Sequence, residues 1–173
     1  MSSFSMTRTI TTITSHRWPT TARYPRVMSA ATDIDEAVAG LLANADQRYT
    51  NGRRRLVKAL IDGGRPLTIT QIGEIDSSLP QSSAYRNLTI LEEVGAVTRV
   101  VTNDEFARYE LAEHLMGHHH HLICTSCGDV ADFSLDHDVE SELDAALRAA
   151  AAATGFAIDA HRLDLLGTCN DCT

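Results

Sequence analysis

Residues 118–127 read HHHHLICTSC, and a second cysteine pair, CNDC, follows at residues 169–172. The two C-x-x-C pairs contain all four cysteines of the chain. Tetrahedral zinc takes four soft donors, and each pair offers two thiolates toward one point. Because the sequence shows no secretory signal pattern and no unpaired cysteine, structural zinc is favoured over two disulfides or a redox dithiol. The predicted ligands of this structural zinc are Cys124, Cys127, Cys169 and Cys172.

The four consecutive histidines are predicted to lie on an extended segment, in which side chains alternate between two faces. His118 and His120 then point one way, and His119 and His121 point the other. A tag fragment or a polar loop is the alternative, but tags are usually longer and terminal. One run of histidines can therefore serve two metal sites, each of which needs one or two further ligands from elsewhere in the chain.

The net charge of −8 is carried by the C-terminal quarter, where residues 129–173 hold two basic and ten acidic residues. Between Arg48 and Arg65 the balance is reversed, with six basic residues and one acid. This segment is predicted to face phosphates through Arg53, Arg54 and Arg55, although a solvated helix face is the ordinary alternative.

Helical periodicity and capping signals predict four helices between Asp33 and Gly95. Asn51 is the predicted cap of the second helix and Gly63-Gly64 its stop, and the fourth helix begins near Gln81. Strand-like runs at 96–101 and 106–111, joined by a turn at 102–105, complete a winged helix, with a plain helical bundle as the alternative. The candidate DNA-contacting residues on the fourth helix are Ser82, Ser83, Tyr85, Arg86 and Asn87.

After the histidines, strands at 122–124 and 130–133, a helix at 136–154 and a strand at 156–166 predict a small α/β unit. The predicted fold class is α+β, with a winged-helix DNA-binding domain at residues 33–113 and a zinc-binding dimerisation domain at residues 114–173. Residues 1–32 are predicted to be a disordered N-terminal extension, with Met28 an alternative start. We expect a cytoplasmic protein with no membrane partner, since no apolar run approaches about 20 residues.

Taken together, these motifs resemble the ferric uptake regulator family over about residues 32–173. Residues 82–97 look like the family's recognition helix and the entry to its wing, and residues 118–127 look like its histidine-rich linker and first cysteine pair. Thr154-Gly155-Phe156, His161 and residues 167–172 are most similar to the zinc uptake regulators within the family. The resemblance implies a metal-dependent repressor, not an enzyme, that binds inverted-repeat operators of metal-uptake genes as a homodimer.

The resemblance also implies three metal sites, of which the four-cysteine zinc site is the first. The second combines His118 and His120 with Glu140 and His161. The third, a sensor at the hinge between the domains, would use His119 and His121. Its further ligands here are expected to be Glu110, which matches a family carboxylate ligand, and His114, which has no clear counterpart in the family.

The hinge site is where this sequence departs from the family. Thr98 stands where a zinc uptake regulator has an aspartate, and that subgroup's cysteine near the end of the wing falls around Ala112. The iron sensors' histidine before the third helix falls near Pro66, whose side chain cannot bind a metal. The metal sensed is expected to be Zn²⁺, and Fe²⁺ or another divalent metal is the alternative.

Three other functions compete with a zinc-responsive repressor. An iron- or peroxide-responsive regulator of the same family is favoured if Glu110 makes the hinge site richer in oxygen. A zinc-dependent hydrolase would need an open water position, and the sequence has no H-E-x-x-H motif. A metal-storage module would have no use for Tyr85 and Arg86.

Overall fold

The computed structural model describes residues 31–102 and 106–173. The predictions for residues 1–30, including the alternative start at Met28, and for residues 103–105 of the turn lie outside the described residues.

The N-terminal unit is a set of helices followed by a small antiparallel sheet. Its elements are α1 (Ala31–Asn44), α2 (Asn51–Gly63), β1 (Leu67–Thr68), α3 (Ile69–Ile75), α4 (Gln81–Glu93), β2 (Val97–Val100) and β3 (Arg108–Leu111). The strand order is β1-β3-β2, with both pairings antiparallel. This is the predicted winged-helix arrangement, to which the structure adds the two-residue strand β1 before α3.

The helix ends follow local capping chemistry. The N-cap of α2 is Thr50, whose side-chain oxygen accepts from the Arg53 N–H, so the prediction of Asn51 as the cap was wrong by one residue. Gly64 ends α2 in the left-handed conformation, with φ 59°, which glycine adopts without steric cost. Thr68 and Gln71 form a reciprocal capping box that starts α3.

One hydrophobic core fixes the position of α4. Leu88 and Leu91 are almost fully buried in a core that also contains Val38 of α1 and Leu56 of α2. Ala84, one turn before Leu88, is buried as well, so these three positions define the inward face of α4. The opposite face of the same helix is left to solvent.

The C-terminal unit begins after the short helix α5 (Glu113–Met116) and contains β4 (His120–Cys124), β5 (Val130–Phe133), α6 (His137–Ala153) and β6 (Asp164–Gly167). The sheet order is β5-β4-β6, with β4 antiparallel to β5 and parallel to β6. The strand predicted at 156–166 was wrong over most of its length. Phe156 instead closes the end of α6, where its N–H donates to the Ala151 carbonyl after Gly155 turns the chain at φ 75°.

The C-terminal unit has very little apolar core. Within described residues 117–173, the buried apolar or sulfur side chains are Ile123, Val130, Cys124 and Cys169. No residue of α6, which is described throughout, is buried. A unit of this kind needs stabilisation from bound metal, from a second subunit, or from both.

No helix in the described part of the chain is long and apolar enough to cross a membrane.

Candidate metal centres

Among the described residues, three groups of side chains have the chemistry and the spacing to hold a metal ion, and the donor atoms within each group lie within 4.8 Å of one another. The cysteine cluster contains Cys124, Cys127, Cys169 and Cys172. The outer histidine cluster contains His118, His120, Glu140 and His161. The hinge cluster contains Glu110, His119, His121 and Asp132.

The cysteine cluster forms because β4 and β6 run parallel and in register. Cys124 pairs with Gly167 at the end of the two strands, so the two C-x-x-C turns leave the sheet side by side. The Sγ atoms of Cys127 and Cys169 lie 3.7 Å apart, and the Cys169 N–H donates to the Cys124 sulfur at 3.3 Å. Four unbridged sulfurs converging in this way fit tetrahedral zinc.

Backbone amides prepare one of these sulfurs for metal binding. N–H groups of Cys127 and Cys169 point at the Cys124 sulfur and lower its pKa to about 6. The thiolate is the form that binds a metal, so at neutral pH the buried Cys124 is already in its ligand state. Cys169, the other buried sulfur, lies on the opposite turn.

The outer histidine cluster is arranged around the carboxylate of Glu140, which projects from the first turn of α6. The Nε2 atoms of His118, His120 and His161 lie 3.1, 2.9 and 3.0 Å from its oxygens. The contacts of His118 and His161 with Glu140 are close but are not hydrogen bonds, so the Nε2 atoms of these two histidines and Oε1 of Glu140 are buried without a hydrogen-bond partner. Buried polar atoms are seldom left unsatisfied, so their convergence fits an ion held by three nitrogens and one oxygen.

The hinge cluster uses the opposite face of the histidine run. Oε2 of Glu110 lies 3.2 Å from Nε2 of His119 and 3.1 Å from Nε2 of His121. Asp132 approaches His121 Nε2 at 3.8 Å. Two imidazoles and two carboxylates, nearly excluded from solvent, fit a divalent cation with a mixed nitrogen and oxygen preference.

His114, which was predicted to be a hinge ligand, is exposed on α5 and lies outside the hinge cluster. The fourth donor is Asp132, which the sequence prediction missed. Asp132 pairs with His121 across the antiparallel strands β5 and β4. The register of the predicted strands around the C-x-x-C turn was the signal that could have revealed it, since cross-strand partners share a face.

The hinge cluster is strongly coupled electrostatically. Burial by itself raises the pKa of Glu110, but hydrogen bonds from His119 and His121 outweigh burial and leave that pKa below its ordinary value. Burial lowers the pKa of His119, yet the Glu110 carboxylate and the Gly117 carbonyl together raise it to about 9. The pKa of His121 is also raised, since burial is outweighed by Glu110. Without metal, the cluster therefore holds protons.

The hinge cluster joins the two units of the chain. Among its described donors, Glu110 alone comes from the N-terminal unit, on β3, and the other three come from the C-terminal unit. A second link is the ion pair between Arg65, after α2, and Asp129, next to the first C-x-x-C turn. A change at the hinge cluster or at the first C-x-x-C turn can thus reach the winged helix.

The exposed face of α4 presents the predicted DNA-contacting residues. Tyr85 is 52% exposed, and Arg86 and Ser82 also face solvent. Ser83 and Asn87 are partly exposed beside them. This combination of an aromatic ring, a cation and small polar groups can contact base edges and phosphates.

The structure places the α2 arginines differently from the prediction that they face phosphates. Arg53 is 7% exposed, and its guanidinium turns inward to the Arg48 carbonyl and to Gln47. The structure therefore does not place Arg53 on an exposed basic face.

Arg54 and Arg55 are also held by partners within the chain. Arg54 lies 3.9 Å over the Tyr49 ring and forms an ion pair with Asp35, and Arg55 forms one with Asp76. Acids on other elements therefore neutralise charges that look unopposed in the local sequence.

A model of the ferric uptake regulator family matches residues 44–166. This chain belongs to the ferric uptake regulator family. This confirms the predicted family and the predicted α+β fold class. The family consists of regulators, which also confirms the prediction that the protein is not an enzyme.

Among its curated relatives is the peroxide-responsive repressor PerR of Staphylococcus aureus, 27% identical over 144 residues, which are 81% of this chain and 91% of the relative. The ferric uptake regulator of Helicobacter pylori, 23% identical, aligns over 83% of this chain and 94% of its own with a TM-score of 0.65, and shows the shared fold. A zinc-bound manganese uptake regulator, 26% identical, covers 76% of this chain and 98% of its own with a TM-score of 0.57.

Proposed function

We propose that this chain is a metal-dependent transcriptional repressor that binds inverted-repeat DNA as a homodimer when its hinge cluster is loaded. The observation that carries the proposal is the position of Glu110, which joins the winged helix to ligands of the C-terminal sheet in one cluster. We place its action in the cytoplasm, where the cysteines stay reduced and the DNA is accessible. Its targets would be genes of metal uptake, which a metal-loaded repressor silences.

The proposed mechanism is a coupling of metal binding to the orientation of the winged helix. A metal at the hinge would supply positive charge that draws the Glu110 carboxylate of the N-terminal unit toward the donors of the C-terminal unit. Glu110 then fixes β3, and through β3 the rest of the winged helix, against β4. In a dimer, fixing both winged helices places the two copies of α4 at the spacing of successive major grooves.

Dimerisation is supported by the surface of the C-terminal unit. Leu165 and Leu166 on β6 are 44% and 63% exposed, and Leu147 on α6 is 37% exposed. Exposed apolar side chains on a unit with so small a core fit a surface that a second copy covers.

Zinc is proposed as the sensed metal. The support for zinc comes from the outer histidine cluster, which lies on the other face of the same histidine run, and not from the donors of the hinge cluster. The three imidazole nitrogens and one carboxylate oxygen of the outer histidine cluster are a common zinc donor set. The hinge cluster favours the second candidate, an iron- or peroxide-responsive regulator. Glu110 and Asp132 give it two hard oxygen donors, and it contains no thiolate. This donor set suits iron or manganese, whereas the sensor of a zinc regulator includes a cysteine.

The decisive experiment measures DNA binding while the free metal is buffered. Full-length protein with its cysteine zinc in place is titrated onto a fluorescent inverted-repeat duplex, with free Zn²⁺, Fe²⁺ or Mn²⁺ held at stepped concentrations. The proposal expects one metal to raise the affinity about 5- to 150-fold, the usual range of allosteric coupling. Binding that is indifferent to every metal would falsify it.

Substitution of the α4 surface tests DNA recognition separately from metal. Arg86→Ala is expected to weaken metal-loaded binding at least about fivefold, since one base or phosphate contact contributes roughly 1–3 kcal/mol. Arg148→Ala removes the same charge from α6 and serves as the matched control. Equal losses in the two variants would argue for general electrostatic attraction and against contact by α4.

Metal affinity at the hinge cluster is expected to depend on pH well above neutrality. The metal-free cluster holds a proton on His119, whose pKa is about 9, and that imidazole must be neutral to bind. The proton on His119 therefore competes with metal below about pH 9, and its release alone should raise the affinity by about tenfold per pH unit between pH 7 and 9. Competition of Co²⁺ with a chelator measures it, and an affinity that is level over this range contradicts the expectation.

A further inference from the structure

We propose that Asp164, held in place by Arg162, is a positioning residue that orients His121 for the metal of the hinge cluster. The inference rests on the proposed function of that cluster and adds a residue that none of the three donor groups contains. Asp164 is the first residue of β6, on the far side of β4 from Asp132.

The sheet brings Asp164 to the rear of the His121 ring. His121 and Asp164 are register partners in the parallel pairing of β4 with β6, and the His121 N–H donates to the Leu163 carbonyl. Oδ1 of Asp164 lies 3.2 Å from Nδ1 of His121. On the other side of the ring, Nε2 lies 3.1 Å from Glu110. The imidazole is therefore held between an outer carboxylate and the donors of the cluster.

This arrangement selects the ring nitrogen that can bind a metal. When Nδ1 donates its proton to Asp164, the neutral imidazole carries its lone pair on Nε2, which faces the other donors. His119 follows the same pattern with a different acceptor, since its Nδ1 lies 2.9 Å from the Gly117 carbonyl oxygen. Both hinge histidines are thus fixed as Nε2 ligands, one by the backbone and one by Asp164.

Arg162 holds the Asp164 carboxylate in position to accept from Nδ1 of His121. Its Nε donates to Oδ1 of Asp164 at 3.0 Å, and its Nη2 lies 2.9 Å from Oδ2. The two-point contact fixes the plane of the carboxylate. It also neutralises a charge that would otherwise add to those of Glu110 and Asp132, so Asp164 acts as a hydrogen-bond acceptor without making the cluster more anionic.

The test measures metal affinity directly in the full-length protein with its cysteine zinc retained. Co²⁺ is titrated in competition with a chelator, and the part of the binding that His119→Ala removes is assigned to the hinge cluster. Asp164→Ala is expected to weaken that binding about 10- to 100-fold, the usual effect of removing an outer partner of a metal-bound histidine. It should also change the visible ligand-field spectrum of the bound cobalt, because an unrestrained ring alters the ligand geometry.

Two further variants separate positioning from a structural role. Asp164→Asn keeps an oxygen that can accept from Nδ1, so its affinity should lie between those of the wild type and Asp164→Ala. Asp138→Ala removes an exposed carboxylate from α6 and should match the wild type in affinity and spectrum. A pure folding defect would lower the content of cysteine-bound zinc, which the proposal expects to stay at one per chain.

The outcomes distinguish this inference from the proposed function. If wild type and His119→Ala bind the same amount of Co²⁺, the hinge cluster holds no metal and both proposals fail. If His119→Ala loses a site but Asp164→Ala keeps wild-type affinity and spectrum, only the role of Asp164 is overturned. A loss in Asp164→Ala that is matched by loss of cysteine zinc would also overturn it, in favour of a structural role.

Discussion

Cys169→Ser is expected to unfold the C-terminal unit and to abolish the dimer, while the winged helix keeps its fold. Cys169 is buried, and its backbone N–H donates to the sulfur of Cys124 on the other turn. The substitution keeps that N–H but removes the Cys169 sulfur, and with it a zinc ligand that would tie the end of β6 to the end of β4. Structural zinc typically contributes about 10–16 kcal/mol in small domains, which is comparable with the whole stability of an ordinary protein.

The size of this effect follows from how little else holds the unit together. Ile123 and Val130 are its buried aliphatic side chains among the described residues, and α6 buries none. The N-terminal unit, by contrast, has a continuous apolar core built from its own helices and sheet. A stability difference of this kind predicts that removing zinc from the wild type with a strong chelator unfolds the C-terminal unit and leaves a single later transition, that of the winged helix.

Three measurements test this prediction. Elemental analysis gives the zinc content, far-UV circular dichroism gives the helix content, and sedimentation velocity gives the mass of the dimer. Ser126→Ala is the matched control, because Ser126 lies exposed between Cys124 and Cys127 and its substitution leaves every sulfur in place. If Cys169→Ser retains full helix content and the dimer mass, the cysteine cluster does not stabilise the unit and the expectation is wrong.

The alternation of the histidine run was the most informative feature of the sequence. His120 and His121 begin β4, and the alternation continues back over the two histidines before the strand. His118 and His120 thus belong to the outer histidine cluster, and His119 and His121 belong to the hinge cluster. Asp132 could not be found in the same way. Its place depends on the register of β5 against β4, which is a property of the pairing and not of either strand alone.

The α2 arginines show what a local sequence pattern cannot predict. Their charges are unopposed within the helix, but Arg54 meets Asp35 nineteen residues earlier and Arg55 meets Asp76 twenty-one residues later. Arg53 turns inward to backbone and amide oxygens. A local charge count cannot detect such partners, because tertiary packing brings them together.

Substitution of Glu110 is expected to remove the metal dependence of DNA binding without removing the dimer. In Glu110→Gln the affinity for an inverted-repeat duplex should be the same with and without hinge metal, whereas the wild type should change by about 5- to 150-fold. Among the described residues of the hinge cluster, Glu110 is the donor that belongs to the winged helix, so metal held by the remaining three cannot orient that unit. The cysteine cluster contains no atom of Glu110, and its zinc should remain.

Glutamine is chosen because it keeps the volume of a side chain that is 6% exposed and removes its charge. Glu36→Gln, on the exposed face of α1, makes the same chemical change away from every donor group and is the matched control. Fluorescence anisotropy of the labelled duplex, recorded at stepped free metal, gives the ratio of loaded to unloaded affinity for each protein. A Glu110→Gln protein that retains the wild-type ratio would show that metal reaches the winged helix by another route, and the Arg65–Asp129 ion pair would then be the contact to break.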